Sequence, residues 1–117
     1  MTEDELKKRT KQFALRVMRL VQALPNTPDG RTLGNQLLRS GTAVGANYRA
    51  ACRGRSRAEF VAKLGNVEEE ADESAYWMEL IIEGGLMAKR LVDPLLDEAN
   101  QLLKITVASR KTTSRRT

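Results

Sequence analysis

The chain has 117 residues, with 20 Lys and Arg against 15 Asp and Glu, a formal net charge of +5, one cysteine and no histidine. This length suits a single domain, and the residue types exclude an internal disulfide, a zinc site, a Glu-x-x-His di-iron site and a histidine general base. We therefore expect a cytoplasmic protein that is not an enzyme, with no cofactor, metal, small-molecule substrate, secretory signal or membrane segment.

The first predicted helix covers residues 3–24. Apolar side chains recur there at three- and four-residue steps, which places them on one face of a helix: Leu6, Phe13, Val17, Leu20 and Leu24. Pro25 ends this helix, and the turn-forming residues up to Gly30 predict a short loop.

The second predicted helix covers residues 31–52 and carries glycines at positions 41 and 45. Each interior glycine costs about 1 kcal/mol relative to alanine, so the pair indicates that another backbone approaches closely. The alternative is small-xxx-small pairing of the membrane type. Because the chain is so polar, we favour close packing within a soluble bundle.

Capping signals predict the last two helices. Ser56 and Glu59 form a capping box before a helix over residues 57–83, which ends at two glycines. Asp93 and Pro94 predict the start of a helix over residues 94–108. No segment alternates apolar and polar residues, so we predict an all-α, antiparallel up-down-up-down four-helix bundle over residues 1–108, followed by a basic, disordered tail over 109–117.

The third helix is apolar nearly all round over residues 75–82. Such a helix is buried on two faces, which favours assembly into a homo-oligomer over a monomer with a partly exposed tyrosine. The candidate interface residues are Tyr76, Trp77, Leu80, Ile81, Glu69 and Glu73.

Charge is divided unevenly along the chain. Residues 1–57 carry 12 bases against four acids, a balance of +8, whereas residues 58–105 carry four bases against 11 acids, a balance of −7. The acids of the third helix form a solvated or partner-facing surface, or alternatively a cation site. The bases suggest a phosphate-binding surface, or alternatively partners for these acids. The nucleic-acid-binding candidates are Arg49, Arg53, Arg55, Arg57, Arg110, Arg115 and Arg116.

Several short motifs occur in this order along the chain: Leu24-Pro25, Gln36-Leu37-Leu38-Arg39-Ser40, Val44, Asn47, Arg55-Ser56, Glu59-Phe60, Leu64 and Glu69 to Glu73. Over residues 10–108 they resemble the bundle proteins encoded by intervening sequences in bacterial 23S rRNA genes. The resemblance implies a homopentameric ring. A related branch, the accessory proteins of diversity-generating retroelements, binds a reverse transcriptase and nucleic acid. Many members of the family have Ala-Glu-Gly where this chain has Arg49-Ala50-Ala51, so its basic corner is stronger.

Two hypotheses follow for function. The first is a homo-oligomer that binds RNA or DNA non-specifically through its basic surface. The second is a protein-interaction scaffold, or an accessory subunit to a protein such as a reverse transcriptase, whose arginines form subunit contacts.

Overall fold

A computed structural model describes residues 1–115 as four helices joined by short loops. The helices are α1 (Glu3–Gln22), α2 (Pro28–Cys52), α3 (Arg57–Glu83) and α4 (Lys89–Arg115). They form an up-down bundle with extents of 50 × 20 × 19 Å, which confirms the predicted all-α fold. No helix in this range is long and apolar enough to cross a membrane.

The glycines of α2 allow it to pack closely against α1. A Cβ atom on Gly41 would lie 2.7 Å from Cγ2 of Val17, and one on Gly45 would lie 3.1 Å from Oγ1 of Thr10. Both glycines are buried. The sequence prediction of a close approach at these positions is confirmed, and the neighbour is α1.

The second helix begins earlier than predicted, at Pro28 instead of residue 31. Thr27 is its N-cap, and the Thr27 hydroxyl accepts a hydrogen bond from the Gly30 amide at 3.2 Å. Proline suits the first position of a helix, because that position needs no backbone donor. The loop between α1 and α2 is therefore shorter than the turn-forming residues suggest.

Ser56 is the N-cap of α3, as predicted, and its hydroxyl accepts a hydrogen bond from the Glu59 amide at 3.1 Å. The Glu59 carboxylate accepts from the Arg55 amide at 3.2 Å, one residue before the amide that a capping box predicts. At the other end, Gly85 has a φ of +73°, and the Leu86 amide donates to the Ile81 carbonyl at 3.0 Å. This Schellman turn ends α3 and returns Leu86 to the bundle.

The fourth helix begins five residues before the predicted start, so Pro94 lies inside it. Val92 is fully buried, and its burial holds the turn before Pro94 against the core. The prediction that residues 109–117 are disordered is wrong for 109–115, which continue α4. Arg110 anchors this segment to α3 through Glu68. Arg116 and the rest of the predicted tail lie outside the described residues.

The core runs along the axis of the bundle and draws on all four helices. Its largest fully buried side chains include Phe13, Leu37, Leu64, Met78, Ile81 and Leu102. One polar pair crosses this core, because the Ser74 hydroxyl donates to the Ser40 hydroxyl at 2.9 Å between α3 and α2. Among the neighbouring pairs of helices, α1 and α4 make the least extensive contact.

Candidate nucleic-acid interface

Basic side chains from two helices meet at one end of the bundle. Because α1 and α2 are antiparallel, the start of α1 lies beside the end of α2. A groove of about 250 Å³ forms there, lined entirely by cationic residues: Lys7, Lys8, Lys11, Arg49 and Arg53. We call these five residues the basic cluster.

The groove continues along the seam between α1 and α2 over small side chains. This second section has a volume of about 210 Å³, and its lining includes Ala14, Thr42, Gly45 and Ala46. These side chains are shorter than those of Lys7, Lys11 and Arg49, which also line this section. The seam therefore offers a shallow channel with cationic walls at one end.

The basic cluster is nearly free of neutralising acids. Lys7 pairs with Glu3 at 3.5 Å, and within residues 1–115 the other four cations form no ion pair. Like charges held this close repel one another, and an anionic ligand relieves that repulsion. The arrangement is therefore suited to a polyanion.

Three titratable groups lie beside the basic cluster. The Cys52 thiol and the charge of Lys7 lower the pKa of Glu3, which keeps this carboxylate ionised. Burial raises the pKa of the Cys52 thiol and, more strongly, that of the Tyr48 phenol. Neither group is an activated nucleophile at neutral pH, because both remain protonated.

Three acids of α3, Glu68, Glu70 and Glu73, pair with arginines of other helices. Arg39 of α2 pairs with Glu70 at 3.3 Å and also with Glu73. Arg110 of α4 pairs with Glu68, with Nη2 and Oε1 3.3 Å apart. These ion pairs hold α3 between α2 and α4. The arginines that neutralise these acids are therefore not those of the basic cluster.

The comparisons with known proteins agree with this architecture. The family model for the 23S rRNA-intervening sequence protein matches residues 2–108. The chain belongs to this family. It is also similar to the crystal structure of a Bacteroides thetaiotaomicron protein with unknown function from the S23 ribosomal protein family. That similarity has 32% identity and a TM-score of 0.87, and it covers 95% of this chain and 99% of the other. No curated protein matches the sequence.

In this intervening-sequence protein, only part of the predicted arginine set comes together. Arg49 and Arg53 belong to the basic cluster, whereas Arg55 lies in the loop before α3 and Arg57 is the first residue of α3. Arg110 is engaged by Glu68, which holds its pKa above the usual value. Arg115 is exposed at the end of α4.

The predicted interface residues also separate into exposed and buried groups. Tyr76 is 52% exposed and packs edge-on against Trp77, with ring centroids 5.1 Å apart. Leu80 and Trp77 are half-buried, and Glu69 is exposed. Placing Ile81 at an interface is wrong, because it is fully buried among the core residues that lie three and four positions apart on α3.

Glu73 already has partners within its own chain. Its carboxylate pairs with Arg39 and accepts a hydrogen bond from Nε1 of Trp77 at 3.3 Å. A contact with another protomer would have to compete with both of these partners.

The lysines of the basic cluster were missed by the reasoning from sequence. Lys7 and Lys11 lie four residues apart on α1, a spacing that places them on one helical face. The sequence signal was the balance of +8 over residues 1–57. The location of this positive charge is known only when the start of α1 is placed beside the end of α2, about 40 residues away in the chain.

The chemistry of the basic cluster suits phosphate groups. Guanidinium groups bind phosphate oxygens with two parallel hydrogen bonds, and lysines add point charges. In the part of the chain that the structure describes, no aromatic side chain lines either section of the groove, so an aromatic platform on which bases could stack is missing there. Among residues 1–115, no group of three Asp, Glu, Cys or His side chains is placed to hold a metal ion.

Proposed function

We propose that this protein binds the phosphate backbone of RNA through the basic cluster, and that it does so as a homo-oligomer. The observation that carries the proposal is a groove lined by five cations from α1, α2 and the C-cap of α2, and within residues 1–115 only one of these cations is paired with an acid. The family's name refers to 23S rRNA, which makes RNA the first nucleic acid to test. Binding is non-specific, because backbone contacts carry no sequence information.

Salt dependence is the first test. Each phosphate contact on a duplex contributes about 0.9 to the slope of log K against log salt, so about five contacts predict a slope near −4.5. The affinity for a short RNA duplex then falls by roughly 500-fold between about 50 and 200 mM salt. Fluorescence anisotropy with a labelled duplex measures this, and an affinity indifferent to salt contradicts the proposal.

A matched pair of variants locates the surface. Lys11→Glu reverses a charge in the groove, and Lys104→Glu makes the same change at an exposed position of α4. We expect Lys11→Glu to weaken RNA binding by about tenfold and to reduce the salt slope by about 0.9, with little effect from Lys104→Glu. Equal losses in the two variants would mean that only net charge matters.

The arginine pair separates this proposal from the scaffold hypothesis. Arg49→Glu with Arg53→Glu should leave the mass of the assembly unchanged and reduce the salt slope by about 1.8. If the same double variant instead breaks the assembly while the helical content persists, these arginines serve subunit contacts, and the scaffold is the better account. Light scattering gives the mass, and circular dichroism gives the helical content.

We propose a pentameric ring as the form of the assembly. Exposed apolar residues support assembly, since Tyr76 and Leu91 are 52% and 54% exposed, and exposed apolar surface favours contact between chains. The resemblance to the intervening-sequence proteins supports the number five. Sedimentation equilibrium should give about five times the chain mass of 13.1 kDa; a single-chain mass at about 10 µM would refute assembly.

A further inference from the structure

A second groove, far from the basic cluster, opens between the end of α1 and the start of α4. It has a volume of about 590 Å³ and a mainly apolar lining that includes Leu20, Ala23, Leu86, Met87, Leu91, Pro94 and Leu95. It exists because α1 and α4 make the least extensive contact of the neighbouring helices. The turn at Gly85 directs Leu86 back toward the bundle, where it lines this groove.

Two arginines of α1 stand at the edge of this apolar groove. Arg16 and Arg19 are both among its lining residues, and neither forms an ion pair with any residue in the described range 1–115. They lie three residues apart, about 4.5 Å along the helix axis. The groove therefore suits a partner with apolar side chains and carboxylates about one helical turn away.

The outer face of α3 has this composition. Its exposed residues follow one another at steps of three, four, three and four, which places them on a single stripe: Glu69, Asp72, Tyr76, Glu79 and Glu83. None of these four acids takes part in an ion pair within residues 1–115. The exposed ring of Tyr76 stands at the centre, with two carboxylates on each side. We call these residues the outer stripe of α3.

We infer that the α1–α4 groove receives the outer stripe of α3 from a second copy of this chain. Tyr76 enters the apolar part of the groove, and Glu79 and Glu83 meet Arg16 and Arg19. The spacings agree, because the two acids lie four residues apart, about 6 Å along the axis, and the two arginines about 4.5 Å. Long arginine side chains bridge the difference.

The contact must join different copies. Within residues 1–115, the backbones of α1 and α3 do not approach each other, and the two helices lie on opposite corners of the bundle, so the outer stripe faces away from its own groove. One copy then contributes its groove and the next its stripe, and a contact of this head-to-tail kind uses every surface only when the chains close into a ring. The inference rests on the proposed assembly and names its two faces.

A charge swap tests the contact. Arg16→Glu with Arg19→Glu places acids against acids, and we expect light scattering to show the mass falling to that of one 13.1 kDa chain. Adding Glu79→Arg and Glu83→Arg to the same chain restores opposite charges, and we expect the wild-type mass to return. The matched control is Lys104→Glu with Lys111→Glu, the same charge change at exposed positions of α4, which should leave the mass unchanged.

The outcomes separate this inference from RNA binding, because the mass is measured without RNA. An unchanged mass in the Arg16 and Arg19 variant overturns the inference, and so does a fourfold variant that stays monomeric while helical. A wild-type monomer that binds decanoate in calorimetry also overturns it, since the groove would then take an amphiphilic anion. Loss of RNA affinity in Lys11→Glu with intact mass bears only on the proposed function.

Discussion

The close packing of α2 on α1 predicts that two glycine-to-alanine changes have different effects on stability. Gly65 lies within α3, and a Cβ atom there would meet nothing within 4 Å. Alanine should therefore stabilise the protein at this position by about 1 kcal/mol, the difference in helix propensity. Gly41 lies within α2 and would gain the same amount if space were available.

The space at Gly41 is already occupied. An added Cβ would lie 2.7 and 2.8 Å from the two Cγ atoms of Val17 and 3.1 Å from its Cβ. Val17 is fully buried and β-branched, so rotation of its side chain cannot clear all three atoms. Overpacking of this kind typically costs about 1–3 kcal/mol, so Gly41→Ala should be less stable than Gly65→Ala by about that amount.

Thermal or urea unfolding followed by circular dichroism measures this difference. The propensity gain is common to both variants and cancels when they are compared, which leaves the packing term. At about 4 °C per kcal/mol, the two melting temperatures should differ by roughly 4–12 °C at equal protein concentration. Equal stabilisation by the two alanines would refute the close approach of α1 and α2.

A Val17→Ala background tests whether Val17 is the residue that clashes with an added Cβ at Gly41. Val17→Ala removes both Cγ atoms, at the expense of a cavity. In that background Gly41→Ala should become neutral or stabilising, with a coupling of at least about 1 kcal/mol between the two positions. An unchanged penalty would assign the clash to some other part of the structure.

Three further predictions concern polar groups. Arg9 of α1 donates two hydrogen bonds of 2.7 Å to Glu98 of α4. Arg9→Ala should therefore lower the free energy of unfolding by about 2 kcal/mol in urea titrations. Ser74→Ala should cost about 1 kcal/mol, and the double change with Ser40→Ala should cost less than the sum of the two single changes, as a double-mutant cycle would show. Burial raises the pKa of the Tyr48 phenol above its ordinary value. The phenol therefore ionises first in the unfolded chain, so the free energy of unfolding falls as the pH rises above about 10. Tyr48→Phe should reduce that fall in alkaline unfolding curves.

Much of the fold follows from local patterns. The three- and four-residue spacing of apolar side chains, the Ser56 cap and the glycines after Glu83 each act within a few residues of their own position, so one sequence is enough to interpret them. The predicted start at residue 94 is wrong because α4 begins at Lys89, although a proline inside a helix costs one backbone hydrogen bond. Burial of Val92 favours this earlier start.

The candidate interface depended on tertiary packing. The sequence shows that the first half of the chain is basic, and Arg49 and Arg53 stand out because they lie one turn apart. Lys7, Lys8 and Lys11 join them only because α1 runs antiparallel to α2. In the same way, Arg110 is paired with Glu68 because α4 lies beside α3. The periodicity of the sequence assigns each side chain to a face of its own helix. The residues that lie opposite that face are decided by how the helices pack, because packing brings together residues that are far apart in the chain.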